Sequence, residues 1–247
     1  MPYYAKAPIV EAVIDIQTRF DEQPEIAKFE SFQTQLAEQF PRKDPIQLLR
    51  MGLNQPEKDS GWETNIDHSV SGLRLSNADN SRVLQLQRMG FTYSHMPPYT
   101  SWDVFRSEAR RLWEIFAETC RPVAVTRCAV RFINRIDIPS ERAELSSYFQ
   151  LCPNIPPDIS QEVNGMFMQL QMPQRDLSED SVAIINLAMT EPTQPNQVSI
   201  LLDFDVFQVG EIDPNSEVLW EVLDRFRSRK NFLFEACITD NTRSLIK

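Results

Sequence analysis

Arg127, Arg131 and Arg135 recur every fourth residue in the stretch that opens at Pro122, P-V-A-V-T-R-C-A-V-R-F-I-N-R-I. On an extended chain, residues an even number apart share a side. The three guanidiniums therefore form a row, with Asp137 two places beyond. A matching stretch near the start, P-I-V-E-A-V-I-D-I-Q-T-R-F from Pro8, carries Glu11, Asp15 and Arg19 at the aligned positions. The other side stays apolar in both stretches: Ala12, Ile14 and Ile16 match Cys128, Val130 and Phe132. Two chemistries follow. If the strands are neighbours, Glu11 and Asp15 sit opposite Arg127 and Arg131 as an ion-pair ladder. Each such pair is worth roughly 0.2–1 kcal/mol and mainly sets register. If the arginines are unpaired, the row grips a carboxylate or phosphate bidentately. Asn134 falls on the apolar side, where burial would oblige its carbonyl and amide to find partners.

Other constellations are sparser. Asp203 and Asp205 in L-L-D-F-D-V-F share a strand face, and two carboxylates suit a divalent cation. Without a third ligand, the alternation reads more simply as the solvated side of a half-buried strand. Tyr93, Tyr99 and Trp102 surround Met96-Pro97-Pro98. They form either a binding lip or the hydrophobic staple of the helix that follows. His68 and His95 are separate, and no G-x-S-x-G or H-E-x-x-H motif accompanies them. The six glycines are scattered, so no phosphate-cradling loop or dinucleotide fingerprint occurs. The four cysteines lack C-x-x-C spacing, which argues against structural zinc. Cys128 reads as a small buried apolar residue. No catalytic residue and no cofactor is expected.

These residues need a scaffold, and the chain describes one twice. Val83 to Phe116 reads as strand, turn and amphipathic helix, and so does Val198 to Phe232. Each is preceded by a proline-led strand. Glu25 to Phe40 has helical spacing of Ile26, Phe29, Phe32, Leu36 and Phe40. Arg42 to Ser60 reads as a loop with a short strand near Leu48 to Leu53. Trp62 to Asp67, Gly72 to Ser76 and Arg82 to Tyr93 read as a three-stranded meander. Thr100 or Ser101 caps a helix with a clean stripe of Trp102, Phe105, Ala109, Leu112 and Phe116. Glu141 to Phe149 reads as a short helix. Val163 to Met172, Val182 to Met189 and Val198 to Val209 read as strands, and Ser216 caps the last helix. The expectation is an α+β protein of two β-α-β-β-β-α repeats, residues 1–121 and 122–247. The repeats would share one continuous antiparallel sheet with helices on one face, pseudo-twofold, in an element order like that of TATA-binding proteins. A lone repeat would leave a half-covered sheet and a bare edge.

The chain has 247 residues with 42 % hydrophobic and 24 % charged, an ordinary globular balance. Its net charge of −10 repels a phosphate backbone, so nucleic acid is a disfavoured partner unless the basic residues cluster. No apolar run is long enough to span a bilayer and the start lacks a signal-peptide layout, so a cytoplasmic location is expected. A homo-oligomer is compatible with this composition.

Several pieces, in order along nearly the whole chain, carry a resemblance: A-P-I-V-E-A-V-I-D-I, L-Q-R-M-G-F-T-Y-S, P-Y-T-S-W-D-V-F-R-S-E-A-R-R-L-W, R-C-A-V-R-F-I-N-R-I-D-I-P, L-L-D-F-D-V-F and K-N-F-L-F-E-A-C-I-T-D. Together they resemble a prokaryotic family known as sporadically distributed proteins. The resemblance brings no activity, cofactor or catalytic residue with it. A patchy distribution implies a mobile gene, as in defence or toxin–antitoxin cassettes. The expected function is therefore a non-enzymatic protein-binding module, an antitoxin-like, immunity or defence accessory, whose partner is a toxin or effector encoded nearby. Arg127, Arg131, Asn134, Arg135, Asp137, Tyr99 and Trp102 are its candidate binding residues. Two alternatives stand beside it: a nucleotide or anion sensor or enzyme using the arginine row, and a nucleic-acid-binding saddle.

Overall fold

The computed structural model describes residues 4–54, 63–139, 143–158 and 160–247, with the side chains of 49–54 and 63–68 left aside. Among them, nine strands form one antiparallel sheet, and four helices pack with it. In chain order these are β1 (Ile9–Arg19), α1 (Ile26–Gln35), β2 (Arg42–Asn54), β3 (Glu63–Ser76), β4 (Arg82–Gln87), β5 (Gly90–His95), α2 (Trp102–Cys120), β6 (Ala124–Ile138), β7 (Phe167–Pro173), β8 (Ser181–Thr190), β9 (Val198–Ile212), α3 (Glu217–Cys237) and α4 (Asp240–Ile246). The spatial order is β2-β3-β4-β5-β1-β6-β9-β8-β7.

Alternation decides which face of each strand is covered. Ala12, Ile14 and Ile16 of β1, Cys128, Val130 and Phe132 of β6, and Leu202, Phe204 and Val206 of β9 are all buried. With residues from all four helices they form one continuous apolar cluster. The residues between them point to the helix-free face. α2 starts where Ser101 accepts a hydrogen bond from the Val104 amide, and it ends at Arg121, in the left-handed conformation. Its buried stripe includes Trp102, Phe105, Ala109, Leu112 and Phe116. α3 is capped by Ser216. The Trp113 indole, donating to the Pro214 carbonyl at 2.9 Å, ties the start of α3 to α2.

Four elements differ from expectation. Residues 42–54 are a full strand paired with β3, despite Pro45, with a register shift between Ile46 and Gln47; both β2 and β7 are sheet edges, where a missing amide is tolerated. The separate strands expected at Trp62 to Asp67 and Gly72 to Ser76 are one, β3. Arg82 to Tyr93, read as one strand, is a hairpin. Gln87 faces Gly90 across a two-residue turn, and Gly90 has φ +154. A Cβ there would lie 2.2 Å from the Ile16 carbonyl oxygen, so glycine lets β5 close onto β1. The R-M-G turn lacks the Asn-Gly signal that marks such hairpins. In the second half, the expected helix Glu141 to Phe149 is a single 3-10 turn, Leu145–Ser147, and residues 140–142 lie outside the described residues. The described elements thus run β-α-β-β-β-β-α and then β-β-β-β-α-α.

Candidate functional site

The two proline-led strands are antiparallel neighbours at the middle of the sheet, and β9 flanks β6 on its other side. The arginine row therefore lies between two strands that bear carboxylates. Arg127 donates to Asp15 Oδ2 at 2.7 Å and to Asp205 Oδ2 at 2.9 Å. Its guanidinium also lies over the Phe207 ring, 4.3 Å from the centroid. Arg131 binds Asp203 through two parallel bonds of 2.9 and 2.7 Å, the strongest geometry for such a pair. Arg135 donates to Asp137 at 3.0 Å, to the Ser199 hydroxyl at 3.0 Å and to the Glu191 carbonyl at 2.6 Å. Ser199 bonds Asp137 in turn.

The ladder exists, but with different rungs from those expected. Register sets Asp15 opposite Ala129 and Glu11 opposite Ile133, not opposite the arginines. Asp15 reaches Arg127 on a diagonal, and Glu11 makes no ion pair with a described residue. β9 supplies most of the counter-charge, because Asp205 faces Arg131 and Asp203 faces Ile133. Polar neighbours complete the network: Thr92 donates to Asp15 at 2.7 Å, and Asn186 donates to Asp203 at 2.9 Å. Asp203 and Asp205 are thus engaged by arginines. Among the described residues no group of three or more His, Cys, Asp or Glu gathers to hold a metal ion. Asp205 Oδ1 is buried without a partner, and burial raises its carboxyl above the usual range, against the pull of Arg127 and Arg131.

The remaining candidates lie on the opposite, helix-covered face. Asn134 is buried there, and its amide donates to the Leu202 carbonyl at 3.0 Å. Tyr99 and Trp102 pack on the ring of Phe132, at centroid distances of 5.5 and 6.5 Å. The Trp102 indole donates to Asp224 on α3 at 2.6 Å. Tyr99 and Trp102, about thirty residues before Asn134, therefore meet it around Phe132. Tyr93 and His95 extend the aromatic layer, with His95 stacked on Phe105. The Tyr93 hydroxyl and His95 Nδ1 are buried without partners, and burial lowers the imidazole's affinity for a proton. The side chain of His68 lies outside the described residues. Cys128 is fully buried, which pushes its thiol up to about 12 and leaves it inert.

No family model, no curated protein and no solved structure matches this chain.

Sequence reasoning passed over Lys230. It is only 6 % exposed, and its Nζ lies 4.0 Å from the Phe132 ring centroid. A signal was there to be read: Lys230 follows Phe226 and precedes Phe234 by four residues each, so it falls on the apolar stripe of α3. Its charge disguised it as a surface residue.

Proposed function

We propose that this chain is a non-enzymatic protein-binding module, an antitoxin-like, immunity or defence accessory component, that offers the helix-free face of its sheet to a protein partner. One observation carries the reading: the guanidiniums of Arg127, Arg131 and Arg135 are already bonded to Asp15, Asp205, Asp203 and Asp137. A row satisfied within the protein ties β1, β6 and β9 together rather than reaching for a nucleotide or a nucleic-acid backbone. Around it the same face presents partly buried Ile133, Ile184, Leu201 and Phe207, with Phe167 70 % exposed on the edge strand β7. Apolar area set among fixed polar pairs is what a protein interface uses. The partner would be a toxin or effector encoded beside this gene, and a net charge of −10 favours a basic one.

The test is co-expression with the neighbouring gene product, followed by size-exclusion with light scattering. A stable complex is expected, weakened at least about tenfold by Leu201→Arg at the face. A chain that elutes alone with every such neighbour contradicts the reading.

We further propose that residues 1–121 and 122–247 descend from one duplicated β-α-β-β-β-α unit, related by a pseudo-dyad between β1 and β6 in the manner of TATA-binding proteins. The strand order supports this. Counting outward, β1 and β6 are followed by β5 and β9, then β4 and β8, then β3 and β7. Among the described elements, β2, α1 and α4 are then left without counterparts.

A further inference from the structure

Two cations on the helix-covered side form no ion pair with a described residue. The Lys230 ammonium, with three donors to satisfy, makes no hydrogen bond or ion pair with any described residue; it lies over the face of Phe132. Arg227, half-buried and one turn earlier on α3, likewise lacks a hydrogen bond or ion pair. Elsewhere among the described residues, partly buried arginines have acids: Arg127, Arg135, Arg229 and Arg243 are all in ion pairs. Two like charges side by side, one of them buried, repel each other and lose hydration. An arrangement of that kind is stable when an anion completes it.

The surroundings describe the anion. Phe132 carries Lys230 on its face, while Tyr99 meets its edge with the ring planes 80° apart. Trp102 packs on the same ring at 42°, and Asn134 lies two residues along β6 on the same side. Tyr99 and Arg227 are half-buried and mark where solvent reaches this cluster. Glu235 attracts Lys230 through space without reaching it, and Arg227 and Asp103 both act on Tyr99. We propose that Lys230 and Arg227, walled by Tyr99, Trp102 and Phe132, form a binding site for a small organic carboxylate. The carboxylate group bonds the two cations, and the apolar body lies against the rings. This site is on the far side of the sheet from the face assigned to the protein partner and stands independently of it.

Sodium benzoate is the probe, with acetate, inorganic phosphate and benzylamine as comparators, in calorimetric titration and thermal unfolding of the whole protein. Benzoate is expected to bind once per chain and raise Tm, acetate to bind more weakly, and benzylamine to do neither. Lys230→Met keeps the volume of the buried chain, and Arg227→Gln alters only a half-buried position. Each should still unfold cooperatively and bind benzoate about tenfold or more weakly. Absence of benzoate binding at millimolar concentration, a preference for phosphate, or undiminished binding in both variants overturns the proposal.

Discussion

At the scale of single residues, the sheet's charged network and the buried lysine make opposite demands. Asp203 is buried and held by both nitrogens of the Arg131 fork. Removing the arginine alone strands a buried carboxylate. Arg131→Met should therefore cost about 2–4 kcal/mol in urea unfolding, whereas Arg131→Met combined with Asp203→Leu should recover much of that loss. A double variant as unstable as the sum of the singles would show that the pair does not act as a unit. Lys230 works the other way. Burial first, and then Arg227, lower its ammonium to about 7, with Glu235 opposing. In the unfolded chain a lysine titrates near about 10.4, so between about pH 7 and pH 10 the unfolded state holds a proton that the folded state has released. Stability from this group is therefore lowest at and below neutral pH and rises as pH climbs through that window. Denaturation midpoints at pH 7 and pH 9 read it directly. Lys230→Met should flatten the difference and stabilise the protein at pH 7 by about 1–3 kcal/mol.

At the scale of elements, the hairpin β4–β5 places β5 against β1 and so sets the centre of the sheet. Gly90 meets two requirements at once, a φ of +154 and contact with the Ile16 carbonyl. Gly90→Ala should cost about 2–4 kcal/mol, because both backbone strain and a backbone clash must be relieved. Gly165 has no atom within 4 Å of a Cβ placed there, so Gly165→Ala in the same protein should be near neutral. Chemical denaturation of the two variants side by side measures the contrast. α2 depends on its Ser101 cap; Ser101→Ala should remove about 1 kcal/mol without altering the sheet.

At the scale of the whole molecule, the core crosses the midpoint of the chain. β1 and β6 pair along almost their full lengths, and α2 and α3 are joined by the Trp102–Asp224 and Arg110–Glu217 contacts. Separating the halves would leave β1 and β6 as bare sheet edges. Residues 1–121 and 122–247 expressed separately should each lack a cooperative thermal transition, and co-expression should restore one transition at nearly the native Tm. A half that unfolds cooperatively alone would mean two independent domains. None of the described helices is long and apolar enough to cross a membrane.

Local pattern was enough wherever one face of an element is apolar and the other is not. β1, β6, β8, β9, α2 and α3 follow from the spacing of residues such as Ala12, Ile14, Ile16, Phe105 and Leu112, because the alternation that builds each element also chooses the face it buries. The α+β class and the antiparallel sheet were legible for the same reason. The partners of the arginines were not. Asp203 and Asp205 look like solvated strand residues until β9 is laid beside β6, and which strand lies beside which is settled by the whole core rather than by either segment. Nor did periodicity separate β4 from β5, since the turn between them depends on a long-range approach to Ile16. The meeting of Lys230, Asn134, Tyr99 and Trp102 around Phe132 belongs to tertiary structure alone. Three segments contribute to it, and only packing α2 and α3 on the same strand brings their side chains together.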